Sequence, residues 1–421
     1  MEYTKIKIET YNLHMIQTDR FKTTNIEVIF SKKITKEDIT KTNVLSSIMT
    51  YTSKKYPKRL MYTRALENLY SARLFTNTYR IGNLLNVDFN MRILDDKYVS
   101  CNLLDDALSF LSEVIFNPNV SDNKFDKDSY NVVTNEEKAQ IERFREDSRK
   151  YSLMKMYELL DKDSPCSYNL KGYLEDLEKL DREKLYDYYK EFIKCNNIDI
   201  FIIGDINFEK TEKIVEKNFK FKGNKRVIIE PSLISKKHRE VVQEVIEDDY
   251  TNQSKLSIAC RIEDMNKFEK NYVINIYNFI LGGTADSKFF KNIREKYSLC
   301  YYISSGANKL DNLLIISSGF SKENYSKMLF LIKKEMEDIR KGLFEEEEIE
   351  KAKKYYISAL DAINDSENQI IASYYAMDLL KTESIEKRKE NILKVTKKQI
   401  VELANKVYID TIFLLGGDKL W

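Results

Sequence analysis

Residues 292–306 read NIREKYSLCYYISSG, and residues 65–79 read ALENLYSARLFTNTY. Laid on one another, they put Leu66 on Ile293, Tyr70 on Tyr297, Ser71 on Ser298 and Phe75 on Tyr302, at a constant spacing of 227 (293 − 66). The echo continues. From Asp105 the chain reads as an apolar helix, a turn and a long charged helix, and from Tyr325 it repeats that plan, with Phe125 answered by Phe344. LDREKLYDYYKEFIKCNNIDIFIIGDI, ending at Ile206, then matches VTKKQIVELANKVYIDTIFLLGGD, ending at Asp418. Each reads as a helix followed by an apolar strand. Asp181 and Thr396 are the expected N-caps, and only Thr396 has a capping-box partner three residues on, Gln399. Three segments in the same order make this a duplicated plan, with spacings that drift as loop insertions would make them.

Each copy spans about 200 residues, a size at which one α/β core is normal. The halves are expected at 1–220 and 246–421. The joint at 221–245 carries Pro231, Gly223 and a concentration of charge. The runs 25–30, 87–94, 255–262 and 313–320 read as strands alternating with helices. The alternation in VDFNMRI gives a sheet with one apolar face for helices and one polar face. That is the pattern of an α+β fold with mostly antiparallel sheets, not of a doubly wound parallel sheet.

Composition removes several functions. Hydrophobic residues at 43% and aromatics at 12% can fill two cores, which excludes a disordered chain. Lys+Arg (69) and Asp+Glu (67) nearly cancel and interleave, so no basic face is segregated for nucleic acid. No apolar run approaches the ~20 residues that span a bilayer, and the first residues lack the apolar stretch of a secretory signal. Five scattered cysteines with no C-x-x-C read as reduced thiols, so a cytoplasmic protein is expected. Gly282-Gly283 has neither spacing of a phosphate-binding loop.

The run LGGTADSKFFKNIREKYSLCYYISSG (281–306) resembles the C-terminal signature of the pitrilysin/insulinase-type zinc metallopeptidases, and of their processing-peptidase-like subgroup in particular. That signature reads roughly LGG-x3-S-x-[LF]-F-x2-[IVL]-R-E-K-x-G-L-[AC]-Y. Leu281, Gly282, Gly283, Ser287, Phe289, Phe290, Arg294, Glu295, Leu299 and Tyr301 meet it, and Ser298 stands in place of the usual Gly. The resemblance implies two homologous α+β halves arranged as a clam-shell. It also implies a zinc motif H-x-x-E-H in the first half with a third carboxylate further on. No such motif can be written here, because the two histidines, His14 and His238, lie 224 residues apart (238 − 14). Alignment with the family places Val44, Ser47 and Ile48 at the ligand and base positions and Gln140 near the third ligand. None of these side chains can do that work, so the chain alone is expected to hold no catalytic zinc and to be inactive as a hydrolase.

What the resemblance leaves intact is Arg294 with Tyr301. In the family such a pair reaches the substrate: the Arg holds a peptide carbonyl, and the Tyr hydroxyl stabilises the scissile carbonyl as it gains charge. The first copy has Glu67 and Leu74 there instead. The resemblance therefore implies a non-catalytic subunit, binding an extended peptide beside a homologous H-x-x-E-H partner that supplies zinc; a homodimer in isolation stays open. Two rivals are a purely structural scaffold and an autonomous peptidase with a non-standard site. In the plainer reading of the pair, Arg294 is salt-bridged to a helix neighbour and Tyr301 is packed in a strand. The remaining clusters read as structure: EEEEIEK (345–351) as a helix start favoured by the dipole, Glu136, Glu137, Glu142 and Glu146 as a helix surface, His14 as a satisfied strand residue, and Cys300 as packing.

Overall fold

The computed structural model describes residues 1–8, 10–195, 197–221, 231, 236–249 and 253–416, so much of the expected joint at 221–245 lies outside them, as does the Gly417-Asp418 pair. Two compact units emerge. The first comprises Met1–Arg143, Asn169–Pro231 and Ser366–Tyr375, and the second Phe144–Tyr168, Ser232–Asp365 and Ala376–Trp421.

Thirteen strands follow in chain order: β1 (Glu2–Lys7), β2 (Asn12–Gln17), β3 (Thr23–Lys33), β4 (Arg73–Ile81), β5 (Leu84–Leu94), the short pair β6 (Val120–Ser121) and β7 (Lys124–Phe125), β8 (Asn197–Gly204), β9 (Gln243–Glu247), β10 (Ser254–Ile262), β11 (Cys300–Asn308), β12 (Leu313–Phe320) and β13 (Val407–Leu415). The first unit carries a six-stranded sheet in the order β1-β2-β8-β3-β5-β4, and the second a five-stranded sheet in the order β11-β12-β10-β13-β9. Read from the opposite end, the second order reproduces the first without β1. In each sheet one neighbouring pair is parallel, β2 with β8 and β9 with β13, and the others are antiparallel. The duplication read from sequence is thus a duplication of topology, and the fold is α+β with mostly antiparallel sheets.

Period-2 alternation places Ile26, Val28 and Phe30 of β3 on the helix-covered face of the first sheet, where all three are buried in the larger core of that unit. Burying each such side chain is worth roughly 1.5–3 kcal/mol. The opposite face is polar, as the alternation required, but it is covered too: Asn25, Glu27 and Ser31 are buried. The cover is the segment 366–375, whose side chains bond to it. Thr23 donates to Glu367 at 2.8 Å, Asn25 to Asn368 at 2.6 Å, and Tyr375 to Asn86 at 3.0 Å. The second sheet receives the helix Ser148–Leu160. Its Met156 and Leu160 pack on Ala259, Leu313 and Phe413, and its last carbonyls, of Leu159 and Leu160, accept from Arg239 and Arg261. Both arginines in turn hold the buried Asp410. No helix among the described residues is long and apolar enough to cross a membrane.

Glu27 is the strained member of the polar face. Burial, then the nearby Asp88 charge, push its carboxyl up to about 8, against one hydrogen bond from Asn90. A carboxyl raised in the folded state keeps a proton that the unfolded chain has already released. Its contribution to stability therefore falls as pH rises from about 4.5 to about 8, and the penalty is complete above that. Glu27→Gln keeps an acceptor for Asn90 and removes the charge. We expect the variant to gain a few kcal/mol over the parent at pH 8.5, at about 1.4 kcal/mol per pH unit of displaced titration, and to match it near pH 4.5. Urea unfolding of both proteins across that range checks this; an unchanged difference at the two ends would show that Glu27 is not the titrating group.

Candidate functional site

The echoed stretches 65–79 and 292–306 lead into the outer edge strand of each sheet. β4 and β11 occupy the two equivalent edges, and each is preceded by a turn in left-handed backbone: Ser71 has φ 59° and Ser298 has φ 49°. That explains the glycine usual at this point of the family signature, since only glycine enters this region without steric strain. Ser298 holds the conformation at a cost.

The two edges then part company. β4 pairs with β5 in unbroken register, and Leu74 lies against the apolar core. In β11, Cys300 faces Phe320 and Tyr302 faces Gly319, so Tyr301 is an extra residue with no partner on β12. Such a bulge re-aims a side chain. Tyr302 takes the inward place, over Gly319, where a Cβ would collide with its ring, and under the guanidinium of Arg149 at 4.7 Å. Tyr301 is turned out and is 65% exposed. Arg294, on the helical turn Phe289–Glu295 just before, is also exposed. Its guanidinium lies 4.6 Å over the Phe290 ring and makes no ion pair or hydrogen bond with any described residue. The Tyr301 hydroxyl has no described partner either. Neither residue has the packed or salt-bridged surroundings of the plainer reading. Beyond them, no described strand pairs with the outer edge of β11.

The positions aligned with the zinc motif lie on the helix Lys36–Met49. Val44 is fully buried and Ile48 is 2% exposed, both in the apolar core. Ser47 donates to Glu137 at 2.7 Å. Gln140 is exposed, and Glu137, one turn earlier on the helix Lys127–Glu146, is the carboxylate that comes to this helix. Two aliphatic side chains and a hydroxyl already committed to a carboxylate do not fit a zinc ion. Burial pushes the Glu137 carboxyl up, against the Ser47 hydrogen bond and the charge of Lys171. By sequence Glu137 groups with the surface carboxylates of this helix, but it is buried. The signal that separates it is the spacing Ser129, Val133, Glu137, Ile141, the buried stripe of that helix.

The other candidates are structural. His14 is sandwiched against Phe201 at 4.0 Å, with its ring nitrogens at Tyr3 (2.9 Å) and Asp199 (3.1 Å). His238 stacks on Tyr408 and meets Glu263 at 2.7 Å. Burial pushes the Cys300 thiol up, away from nucleophilic use. Glu345 and Glu348 bond reciprocally as the capping box of the helix Glu346–Ala362.

A family model described as the Peptidase M16 inactive domain matches residues 179–356, which include this edge strand and its turn. The chain is a homologue of the M16 metallopeptidases that lacks their metal motif. It is 25% identical over 409 residues to the probable inactive metalloprotease YmfF of Bacillus subtilis, covering 96% of both chains. Among solved structures, a conserved protein from Enterococcus faecalis V583 superposes with a TM-score of 0.91 at 27% identity over 99% of both chains. The peptidase M16 inactive domain from Pseudomonas fluorescens shares the fold, with a TM-score of 0.80 at 17% identity over 99% of this chain and 98% of that one.

The left-handed serine gives a test of the local geometry. Glycine at 298 would relieve roughly 1–2 kcal/mol of steric cost, offset by roughly 0.5–1 kcal/mol of extra freedom in the unfolded chain. Ser298→Gly is expected to raise the melting temperature slightly, while Ser304→Gly, in the extended part of β11, lowers it. If both substitutions destabilise alike in calorimetry, the turn before β11 is not constrained as described.

Proposed function

We propose that this M16 homologue is a non-catalytic peptide-binding subunit that works in the cytosol beside a homologous H-x-x-E-H subunit, with the metal held by that partner. The observation that carries this reading is the bulge in β11. A packed edge strand has no use for an extra residue that turns a tyrosine into solvent beside an unpaired arginine, whereas a peptide site does. An extended peptide can add a strand along the open edge of β11, drawing affinity from main-chain hydrogen bonds. Arg294 can then donate to a peptide carbonyl, a fork that needs no competing carboxylate nearby. Tyr301 can donate its hydroxyl to a carbonyl oxygen as negative charge develops on it.

The two residues should separate kinetically. Loss of one such donor costs on the order of 10²–10³ in rate, about 2.7–4 kcal/mol, when the donor is preorganised. Tyr301→Phe is therefore expected to lower kcat of the reconstituted pair by about that factor or somewhat less, with KM little changed. Arg294→Ala is expected to raise KM more than it lowers kcat, because it binds ground and transition states alike. The assay mixes each variant with the H-x-x-E-H subunit, confirms by sedimentation that the pair assembles, and measures cleavage of an unstructured peptide. Parental kinetics from both variants would leave the chain a scaffold.

A further inference from the structure

The second unit contains a cavity that the site above does not use. It is a half-open cleft of about 200 Å³ between the helical segment Glu269–Asn278 and the helices Glu346–Ala362 and Ile385–Leu393. Most of its wall is apolar, from Tyr356, Leu360, Ile363 and Ile392, and its one charged lining residue is Arg388. That guanidinium is half-buried and makes no ion pair or hydrogen bond with any described residue. A second cation approaches the same wall: Lys309 donates to the main-chain carbonyl of Asn271, which lines the cavity, at 3.2 Å.

The nearby carboxylates are committed elsewhere. Glu383 takes the Tyr272 hydroxyl and the Asn391 amide, and Asp361 is paired with Lys389. Burial lowers the titration of Arg388, and burial, then the Arg388 charge, bring Lys309 down to about 8. Two neighbouring half-buried cations without a counter-charge are unfavourable for the fold, and an anion in the cavity would reduce that penalty.

We propose that this cavity binds a small organic carboxylate. The carboxylate would sit on the Arg388 fork, in the field of Lys309, and a short aliphatic body would fill the space against Leu360, Ile363 and Ile392. The guanidinium matches a carboxylate through two parallel hydrogen bonds. The apolar wall favours a ligand with a hydrocarbon body over a bare inorganic anion, which would need several more donors than the cavity offers.

The test titrates the full chain with sodium 4-methylpentanoate by calorimetry, with 4-methylpentanamide and inorganic phosphate as controls at matched ionic strength. Saturable one-to-one binding of the acid is expected, with the amide and phosphate each at least about tenfold weaker. Arg388→Gln should abolish binding and Lys309→Gln should weaken it. Ile363→Phe, which fills the space and leaves both charges in place, should block it. Without ligand, Arg388→Gln should melt no lower than the parent, since it removes an uncompensated charge; a clear fall would make Arg388 a structural residue and overturn the proposal. Absence of saturable binding by the acid up to 10 mM would overturn it as well, as would equal binding of the amide or of phosphate.

Discussion

Both faces of each sheet in this protein have to be covered, and the contiguous sequence of a half supplies cover for one. In the first sheet the second face is lined by Asn25, Glu27, Ser31, Asn86 and Asp88, all buried. Buried amides and carboxylates without partners would cost more than the sheet gains from packing. The segment 366–375 supplies part of what is needed, with Glu367, Asn368 and Tyr375 bonding Thr23, Asn25 and Asn86. The second sheet makes the opposite demand: Ala259, Leu313 and Phe413 on its open face are met by Met156 and Leu160. Its helix is then fixed at one end by two arginines on a buried aspartate. Each unit is thus completed by a segment distant in sequence, although the sequence reads as two consecutive copies.

Within that shared plan, small backbone differences separate two uses of nearly the same words. The echoed stretches keep the left-handed serine and the edge strand in both units. One inserted residue in the pairing of β11 with β12 then decides whether the position after the turn faces the core, as Leu74 does, or water, as Tyr301 does. The glycine at 319 belongs to the same arrangement, because the ring of Tyr302 occupies the volume its Cβ would need.

The duplicated topology was legible because it rests on local signals. Asp181 and Thr396 cap helices where the sequence put them, and the runs 25–30, 87–94, 255–262 and 313–320 fall inside β3, β5, β10 and β12. The missing metal motif was equally legible, since two histidines cannot make it. What could not be read were relations between distant segments: that 366–375 would cover the polar face of the first sheet, that Glu137 would turn inward, and that Arg388 and Lys309 would feel each other's charge beside a cavity. The bulge escaped for a different reason. It depends on the register of two strands, and a one-residue slip leaves no mark on either sequence alone.

Glu137 and its surroundings also bear on whether metal chemistry could be built here. The positions 44, 47 and 48 are not a vacant site but part of the core. Val44 and Ile48 pack in it, and Ser47 satisfies a carboxyl that would otherwise be buried without a donor. Replacing either aliphatic residue by histidine alone would bury a polar ring without a partner, a penalty of roughly 1–3 kcal/mol before any metal binds. Replacing Ser47 by glutamate would bring a second carboxylate against Glu137, whose own charge is already disfavoured by burial. Each intermediate is less stable than the present chain, and the compensation from a metal arrives only when three ligands stand together. No such barrier surrounds the exposed Arg294 and Tyr301, which can change without disturbing the core. Packing thus bars metal ligands at positions 44, 47 and 48, while the exposed pair is under no such constraint.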